Sequence, residues 1–288
     1  MNPRISLLHA TYHRAGGPLI VRDAWLARAD NPGDVEYVFA MDADDDGSIK
    51  DTDGCLRVVG QPAIGLVTAV RNWNNAAAAA TGDLLMVIAD DLFPPQGWDT
   101  ALLDLITALD PEDVAFAVNV SDSSDESEVL LRHPVVSRAF YQQHGLFNEV
   151  YRGVYCDDDI TRRAFWRAAI LDGRSIVLEH QHPSIDMTVE RSDSQSRINS
   201  SQEYCYGRDQ YLAIWSRQQR SARVRSVESG GPIRLDQLAL RRIARRNRAL
   251  EIGTYPARAL CPRLKHPRSF ARGLRRRLYA SSRRSIGS

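Results

Sequence analysis

The first 120 residues alternate short apolar runs with polar segments of helical or turn character. Parallel strands must be joined by crossover segments, which are usually helices. The alternation is therefore typical of an α/β fold with a mostly parallel sheet flanked by helices. It predicts helices over residues 67–80 and 98–109. It predicts strands over residues 5–10, 36–41, 56–59, 84–89 and 114–120.

Charge divides the chain into two parts. Residues 1–216 carry 17 Lys and Arg against 33 Asp and Glu, whereas residues 217–288 carry 20 against 3. A shift of this size marks a boundary between segments. We therefore expect a catalytic or binding domain over residues 1–216 and a basic extension over residues 217–288. Within the extension, Phe270, Leu274 and Leu278 recur every four residues among arginines, which predicts a basic helix with a narrow apolar edge.

Targeting and cross-linking signals are weak. No apolar run approaches the roughly 18 residues that a membrane-spanning helix needs, and the first residues lack a signal-peptide layout. The four cysteines form no CxxC pair and have no zinc-ligand spacing. Two more stretches, residues 121–128 and 184–202, are polar and aperiodic, which predicts exposed surface loops. A cytoplasmic location is the expectation, with a peripheral position at a membrane surface as the alternative.

Two carboxylates follow directly on a predicted buried strand. Residues 84–89 are apolar and run into Asp90 and Asp91. Sheets of this class bind ligands at the carboxyl ends of their strands, where an acid can hold Mg²⁺ or Mn²⁺ against a diphosphate. A solvated strand end or a helix cap is the alternative.

Two further groups carry chemistry. Asp157, Asp158 and Asp159 are consecutive, and their mutual repulsion makes one of them a better proton acceptor. The alternative is an acidic first turn that complements a helix dipole. His180 and His182 are two residues apart and thus lie on one side of an extended chain, as metal ligands or as surface residues.

Residues 71–98 resemble the core of family 2 glycosyltransferases with the GT-A fold. In that family a helix with an Asn, a Gly-acid turn, a buried strand and an Asp-x-Asp motif follow in this order. Asn74 stands nine residues before Asp83, as in the family. The first motif acid then falls at Ala89, a departure, and the second at Asp91. The resemblance implies that Asp91 binds metal and that Asp90 compensates for the lost acid.

The resemblance extends over residues 5–183 and assigns further roles. Residues 5–14 resemble the opening strand and Thr-x-x-Arg turn of the family's nucleotide pocket, and an acid that binds the nucleotide base follows the second strand. The family's catalytic base precedes an Arg by six residues, and a His after the base helix completes the metal site. The implied nucleotide-binding residues are Thr11, Arg14, Asp42, Asn74 and Asp90; the implied base is Asp157, with Asp158 as second choice; the implied metal ligands are Asp91 and His182, with His180 as second choice.

The implied activity is an inverting, metal-dependent glycosyl transfer. The donor would be a nucleotide sugar, with a uridine diphosphate sugar expected, the metal Mn²⁺ or Mg²⁺, and the acceptor a hydroxyl group.

Alternatives stay open at this stage. The basic extension favours contact with nucleic acid, so a nucleic-acid-associated glycosyltransferase or binding protein is one alternative. An anionic membrane surface or the chain's own acidic domain would also attract it. Asp91 and Asp157 could instead flank a glycosidic bond, as in a hydrolase. Ala89 is also compatible with a protein that has lost catalysis.

Overall fold

The computed structural model describes residues 4–14, 16–62, 66–124, 127, 130–183, 185, 188 and 192–218. No helix in these ranges is long and apolar enough to cross a membrane. The helix predicted around Phe270 lies outside the described residues, as does nearly all of the basic extension and hence its predicted contacts with nucleic acid or a membrane. The boundary after residue 216 stays a prediction.

The strands form one large and one small sheet. They are β1 Ile5–Ala10, β2 Val35–Asp42, β3 Arg57–Gly60, β4 Leu84–Ile88, β5 Leu92–Phe93, β6 Phe116–Ser121, β7 Val135–Ser137, β8 Ala169–Val177 and β9 Glu179–His180. The large sheet has the order β3-β2-β1-β4-β7-β6-β8, and β5 pairs with β9. Pairing is parallel except where β7 lies antiparallel between β4 and β6, and in the β5–β9 pair. The mostly parallel sheet confirms the predicted fold class.

Helices cover the sheet and connect its strands. They are α1 Gly17–Ala27, α2 Asp46–Asp51, α3 Ala69–Ala79, α4 Trp98–Leu105, α5 Arg138–His144, α6 Cys156–Arg167, α7 Asp193–Ile198 and α8 Ser201–Gln218, with a 3-10 turn at Pro32–Asp34. The alanine-rich helix predicted over residues 67–80 is α3. The helix predicted over residues 98–109 is α4, which ends four residues early, at Leu105.

The two faces of the sheet bury separate cores. Side chains alternate along a strand, so Ile5 and Leu7 of β1 pack on one face and Leu8 packs on the other. Trp25 of α1 and Trp98 of α4 fill the first face, with ring centroids 4.9 Å apart. The β4 strand is buried along its whole length. A strand that is buried on both faces needs apolar side chains along nearly its whole length. This burial holds β4 in place and thereby fixes the position of the sheet edge that follows it.

Both predicted surface loops differ from the structure. Within residues 121–128, Asp122 and Ser127 are fully buried, because the turn folds back onto β6 and the amide of Asn119 donates to the carbonyl of Ser127 (2.8 Å). Within residues 184–202, the described part contains α7 and the start of α8. Ser192 begins α7 with a capping box in which Gln195 is the partner. This short capping signal outweighs the lack of apolar periodicity.

Gly82 provides a test of the packing that sets the position of β4. A Cβ at Gly82 would lie 2.6 Å from Ser6 Oγ and 2.9 Å from its backbone nitrogen. Gly82→Ala should therefore lower the free energy of unfolding by about 1–3 kcal/mol, measured by urea denaturation. Gly33→Ala is the control, because a Cβ there meets no heavy atom within 4 Å. Equal stability of both variants would contradict the described packing.

Candidate functional site

A cavity opens at the carboxyl ends of β1 and β4, the sheet edge where ligands bind in folds of this kind. The ends of these two strands form its floor. The first turn of α6, the β9 strand and the helix α7 form its walls. Other parts of the chain, including the start of α3, also line the cavity, so segments far apart in sequence meet around one space.

Most of the residues predicted for the site line this cavity. They are Thr11, Arg14, Asp90, Asp91, Asp157, His180 and His182. Three others, Asp42, Asn74 and Asp158, are not among the lining residues. The structure thus brings together the residues predicted for metal binding and the first-choice base.

Asp91 and His180 lie next to each other in the wall of the cavity. The β5 and β9 strands pair with Leu92 opposite His180, so the imidazole lies next to the acid that precedes Leu92. Nε2 of His180 is 3.5 Å from Oδ1 of Asp91. The backbone N–H of Gln181 donates to the carbonyl of Asp91 at 2.8 Å. His182, the first choice from sequence, lines the cavity with its ring centroid 5.2 Å from that of His180.

Sequence reasoning missed the group behind His180. Asp122 is fully buried, and its Oδ2 accepts from Nδ1 of His180 (3.0 Å) and pairs with Nη1 of Arg132 (2.9 Å). Nε2 of His133 lies 3.4 Å from the same oxygen. Together, Asp122, His133 and His180 offer ligand atoms within 4.8 Å of one another, a set that suits a metal ion. Their sequence spacing matches no metal motif, so only the fold reveals the cluster.

The charges around His180 favour a cation. Burial acts to raise the pKa of Asp91, but His180 and the hydrogen bond from Gln195 outweigh it and hold that pKa well below its usual range. Burial acts to lower the pKa of His180, but the carboxylates of Asp122 and Asp91 outweigh it and raise that pKa. Burial also acts to raise the pKa of Asp122, but its basic neighbours outweigh it and lower that pKa strongly. Two ionised acids therefore surround one imidazole, where positive charge is stabilised.

Gln195 is a further contact to Asp91 that the sequence did not suggest. Its Nε2 donates to Oδ2 of Asp91 at 2.6 Å. From the same helix, α7, Arg197 donates to the hydroxyl of Tyr12 (3.3 Å) and to the carbonyl of Leu66 (2.5 Å). The α7 helix therefore lines the cavity and is hydrogen-bonded to Asp91, Tyr12 and Leu66, which line it as well. The capping box was the one sequence signal that could have revealed this helix.

Some buried polar atoms along the cavity have no hydrogen-bond partner among the residues that the structure describes. They include Oγ1 of Thr11 and Nδ1 of His133, whereas Nε2 of His133 has only the 3.4 Å contact with Asp122. Both side chains line the cavity. Buried polar groups nearly always have a partner, so such atoms indicate a place where a polar ligand binds.

Asp42 supports the cavity from behind. Its carboxylate accepts from Oγ1 of Thr68 (2.6 Å), Nδ2 of Asn72 (2.9 Å) and Nη2 of Arg71 (3.0 Å). Thr68 and Asn72 line the cavity, so Asp42 fixes two lining residues. Direct contact of Asp42 with a nucleotide base stays a prediction.

Asn74 ties a helix to a loop. Its Nδ2 donates to the carbonyl of Phe147 (2.9 Å), and its Oδ1 accepts from the N–H of the same residue (3.0 Å). This two-way bond holds α3 against the segment before α6. A contact between Asn74 and a nucleotide stays a prediction as well.

The three consecutive acids at the start of α6 occupy different environments. Asp157 lines the cavity, whereas Asp158 is 5% exposed. Asp159 points into the core, where it accepts from Nε of Arg163 (2.7 Å) and Nε1 of Trp215 (2.9 Å). Tyr155, just before the helix, has a positive φ of 70°, an uncommon conformation that sets the direction in which the first turn enters the cavity. Of the three acids, Asp157 is the one placed to meet a ligand.

Comparisons with known proteins concern the fold. No protein-family model matches the chain, and no curated protein matches its sequence. Among solved structures, residues 1–349 of TarS from S. aureus in complex with UDP-GlcNAc give a TM-score of 0.53 at 12% identity, over 73% of this chain and 66% of that chain. The mannosyltransferase PcManGT from Pyrobaculum calidifontis, in complex with GDP-Man and Mn²⁺, gives 0.45 at 15% identity, over 88% and 81%.

The likeness to TarS shows that the chain has the GT-A glycosyltransferase fold, as the sequence predicted. The chain spans slightly less than two thirds of the TarS fragment. At 12% identity the likeness extends to the fold alone, so membership of family 2 stays a prediction.

The different environments of the acids in α6 are testable by stability. Asp159→Asn removes the charge that balances the buried guanidinium of Arg163, so we expect a loss of about 3–5 kcal/mol in the free energy of unfolding. Asp157→Asn should cost about 1 kcal/mol or less, the size of a helix-dipole interaction. Urea denaturation of both variants measures the difference. Equal losses would mean that the two side chains are not placed as described.

Proposed function

We propose that this protein is a glycosyltransferase that moves a sugar from a nucleotide sugar to a hydroxyl acceptor with inversion at the anomeric carbon. One observation carries the proposal: Asp91, His180 and Asp157, far apart in sequence, line one cavity at the carboxyl edge of a GT-A sheet. The alternatives of a hydrolase or an inactive protein lack a comparable observation and serve as outcomes of the tests below.

The nucleotide would bind along the β1 side of the cavity. Thr11 offers a buried hydroxyl that has no hydrogen-bond partner within the described part of the chain, and Arg14 offers a positive charge for a phosphate. Thr68 and Asn72, held by Asp42, supply further polar groups. We propose a uridine diphosphate sugar as the donor, in line with the UDP-GlcNAc bound by TarS.

The residues around Asp91 fit a divalent cation. Nδ1 of His180 hydrogen-bonds to Asp122, so Nε2, 3.5 Å from Oδ1 of Asp91, is the ring nitrogen that would bind a cation in place of its proton. A carboxylate beside an imidazole whose other nitrogen is hydrogen-bonded to an acid is a pair of ligands that a divalent metal can bind. A bound Mn²⁺ or Mg²⁺ would neutralise charge on the departing diphosphate. His182 stays a further candidate ligand.

Asp157 would act as the general base. It stands at the first turn of α6 and lines the same cavity as Asp90 and Asp91. In the proposed step, Asp157 takes the proton of the acceptor hydroxyl while that oxygen bonds to the anomeric carbon. The bond from that carbon to the diphosphate oxygen breaks on the opposite side, which inverts configuration. Asp158, the second choice, is nearly buried beside it.

The first test is a screen of nucleotide sugars with Mn²⁺, using release of nucleoside diphosphate to water as the readout. We expect release from a UDP-sugar by the wild type and at least a hundredfold slower release by Asp157→Asn, since removal of a general base costs about 10²–10⁴-fold. Nucleotide binding should be unchanged in this variant.

The control for that screen is Asp113→Asn, which changes an exposed acid outside the cavity. Unchanged turnover in Asp157→Asn would remove Asp157 from the mechanism. Turnover of a simple glycoside without nucleotide would support the hydrolase instead, and absence of both activities and of nucleotide binding would support the inactive protein.

The second test concerns the metal ligands. Asp122→Asn keeps the size of the side chain but weakens the partner that orients His180. It should reduce Mn²⁺ affinity by about 10–100-fold, measured by calorimetry without substrate. Asp91→Asn and His180→Gln should abolish binding. Asp172→Asn, at a surface acid paired with Arg174, is the control. Full Mn²⁺ affinity in Asp91→Asn and His180→Gln would exclude the proposed site.

A further inference from the structure

A buried histidine connects the sheet core to the cavity floor. His9, on β1, is fully buried among apolar neighbours, with its ring centroid 5.3 Å from that of Phe39. Its Nδ1 lies 2.6 Å from the hydroxyl of Tyr37, and its Nε2 lies 2.9 Å from Oδ1 of Asp90. An aliphatic side chain would suit this position in a core strand. The polar chain Tyr37–His9–Asp90 therefore needs a reason.

The direction of the hydrogen bonds follows from Tyr37. Burial, with Asp90 nearby, raises the pKa of the Tyr37 hydroxyl well above its ordinary value, so this group keeps a hydrogen that it can donate. The carboxylate of Asp90 accepts, so the ring hydrogen of His9 lies on Nε2 and Nδ1 accepts from the phenol. The phenol and the carboxylate thus hold the ring of His9 from both sides.

Asp90 is held at one oxygen only. No hydrogen bond from the residues that the structure describes reaches its Oδ2, the side chain is 14% exposed, and the residue lines the cavity. Oδ2 is thus left to a ligand. Ala89 precedes Asp90 and occupies the position where the Asp-x-Asp motif of family 2 glycosyltransferases would have its first acid. Asp90 is therefore the acid next in sequence to the position of the lost one.

We propose that His9 is a positioning residue for donor binding: with Tyr37 behind it, His9 fixes Asp90 so that its Oδ2 accepts a hydroxyl of the donor's ribose. This inference rests on the proposed function, because it requires a nucleotide in the cavity. It explains how Asp90 compensates for Ala89, since a side chain held in place loses little freedom on binding.

Two substitutions at His9 separate this role from simple packing. His9→Gln keeps an N–H donor near the position of Nε2, whereas His9→Asn is too short to reach Asp90. The probes are UDP and 2′,3′-dideoxy-UDP, each with Mn²⁺, and the readout is the dissociation constant from calorimetry. His144→Asn is the matched control, because His144 is a partly buried histidine that does not line the cavity.

The expected results are specific to the ribose. The wild type should bind UDP about tenfold or more tightly than the dideoxy analogue, the range for a hydrogen bond to a charged group. His9→Asn should lose about that factor for UDP and nothing for the analogue. His9→Gln should remain close to the wild type. Tyr37→Phe keeps the packing but removes the hydrogen bond to Nδ1 of His9, so this variant should show an intermediate loss of affinity for UDP. It replaces His9→Asn in the test if that variant does not fold.

Other outcomes overturn the inference. Equal losses for both nucleotides in His9→Asn or Tyr37→Phe, or no loss for either, would mean that His9 acts only in packing. Wild-type protein that binds UDP with no preference over the dideoxy analogue would exclude the ribose contact while leaving the proposed function intact. Wild-type protein that binds neither nucleotide would remove both the inference and the proposed function.

Discussion

The antiparallel pairing of Leu92 with His180 is the interaction on which the rest of the site depends. It joins segments 88 residues apart in sequence and places an imidazole beside Asp91, which follows the central strand β4. The indole of Trp25 donates to the carbonyl of Leu92 at 2.8 Å and fixes the same short strand from the other side. Because Leu92 is bonded on both sides, the direction of Asp91 is set by backbone geometry.

Around this pairing, buried charge is balanced locally. Asp91, Asp122 and Asp159 each have a basic or amide partner within the fold, and for Asp122 and Asp159 that partner includes an arginine. Unpaired burial of any of them would cost several kcal/mol. Asp90, Asp157 and His182 line the cavity beside these balanced groups. The same residues that stabilise the fold thereby define which groups can meet a ligand.

Three residues that line the cavity depend on side chains beneath them. Asp42 holds Thr68 and Asn72 from behind, as Tyr37 and His9 hold Asp90. A supporting shell of this kind limits the motion of the lining groups and lowers the entropy lost on binding. If the proposed donor binds, the specificity of the cavity would arise as much from these buried side chains as from the lining itself.

The sequence alone determined the sheet strands β1 to β4 and β6, the helix α3 and the run of apolar residues into Asp90 and Asp91, because periodicity and turn residues act over a few positions. It also predicted that Asp91, Asp157 and a later histidine, His182 before His180, meet at one sheet edge, and all four residues line the cavity. Only the tertiary structure decided that His180 lies beside Asp91, that Asp122 is buried behind it rather than exposed in a loop, and that Asp157 and not Asp159 faces the cavity. Those outcomes depend on contacts between residues far apart in the chain, which no local pattern encodes, and on helix rotation, which separates adjacent identical acids by about 100° each.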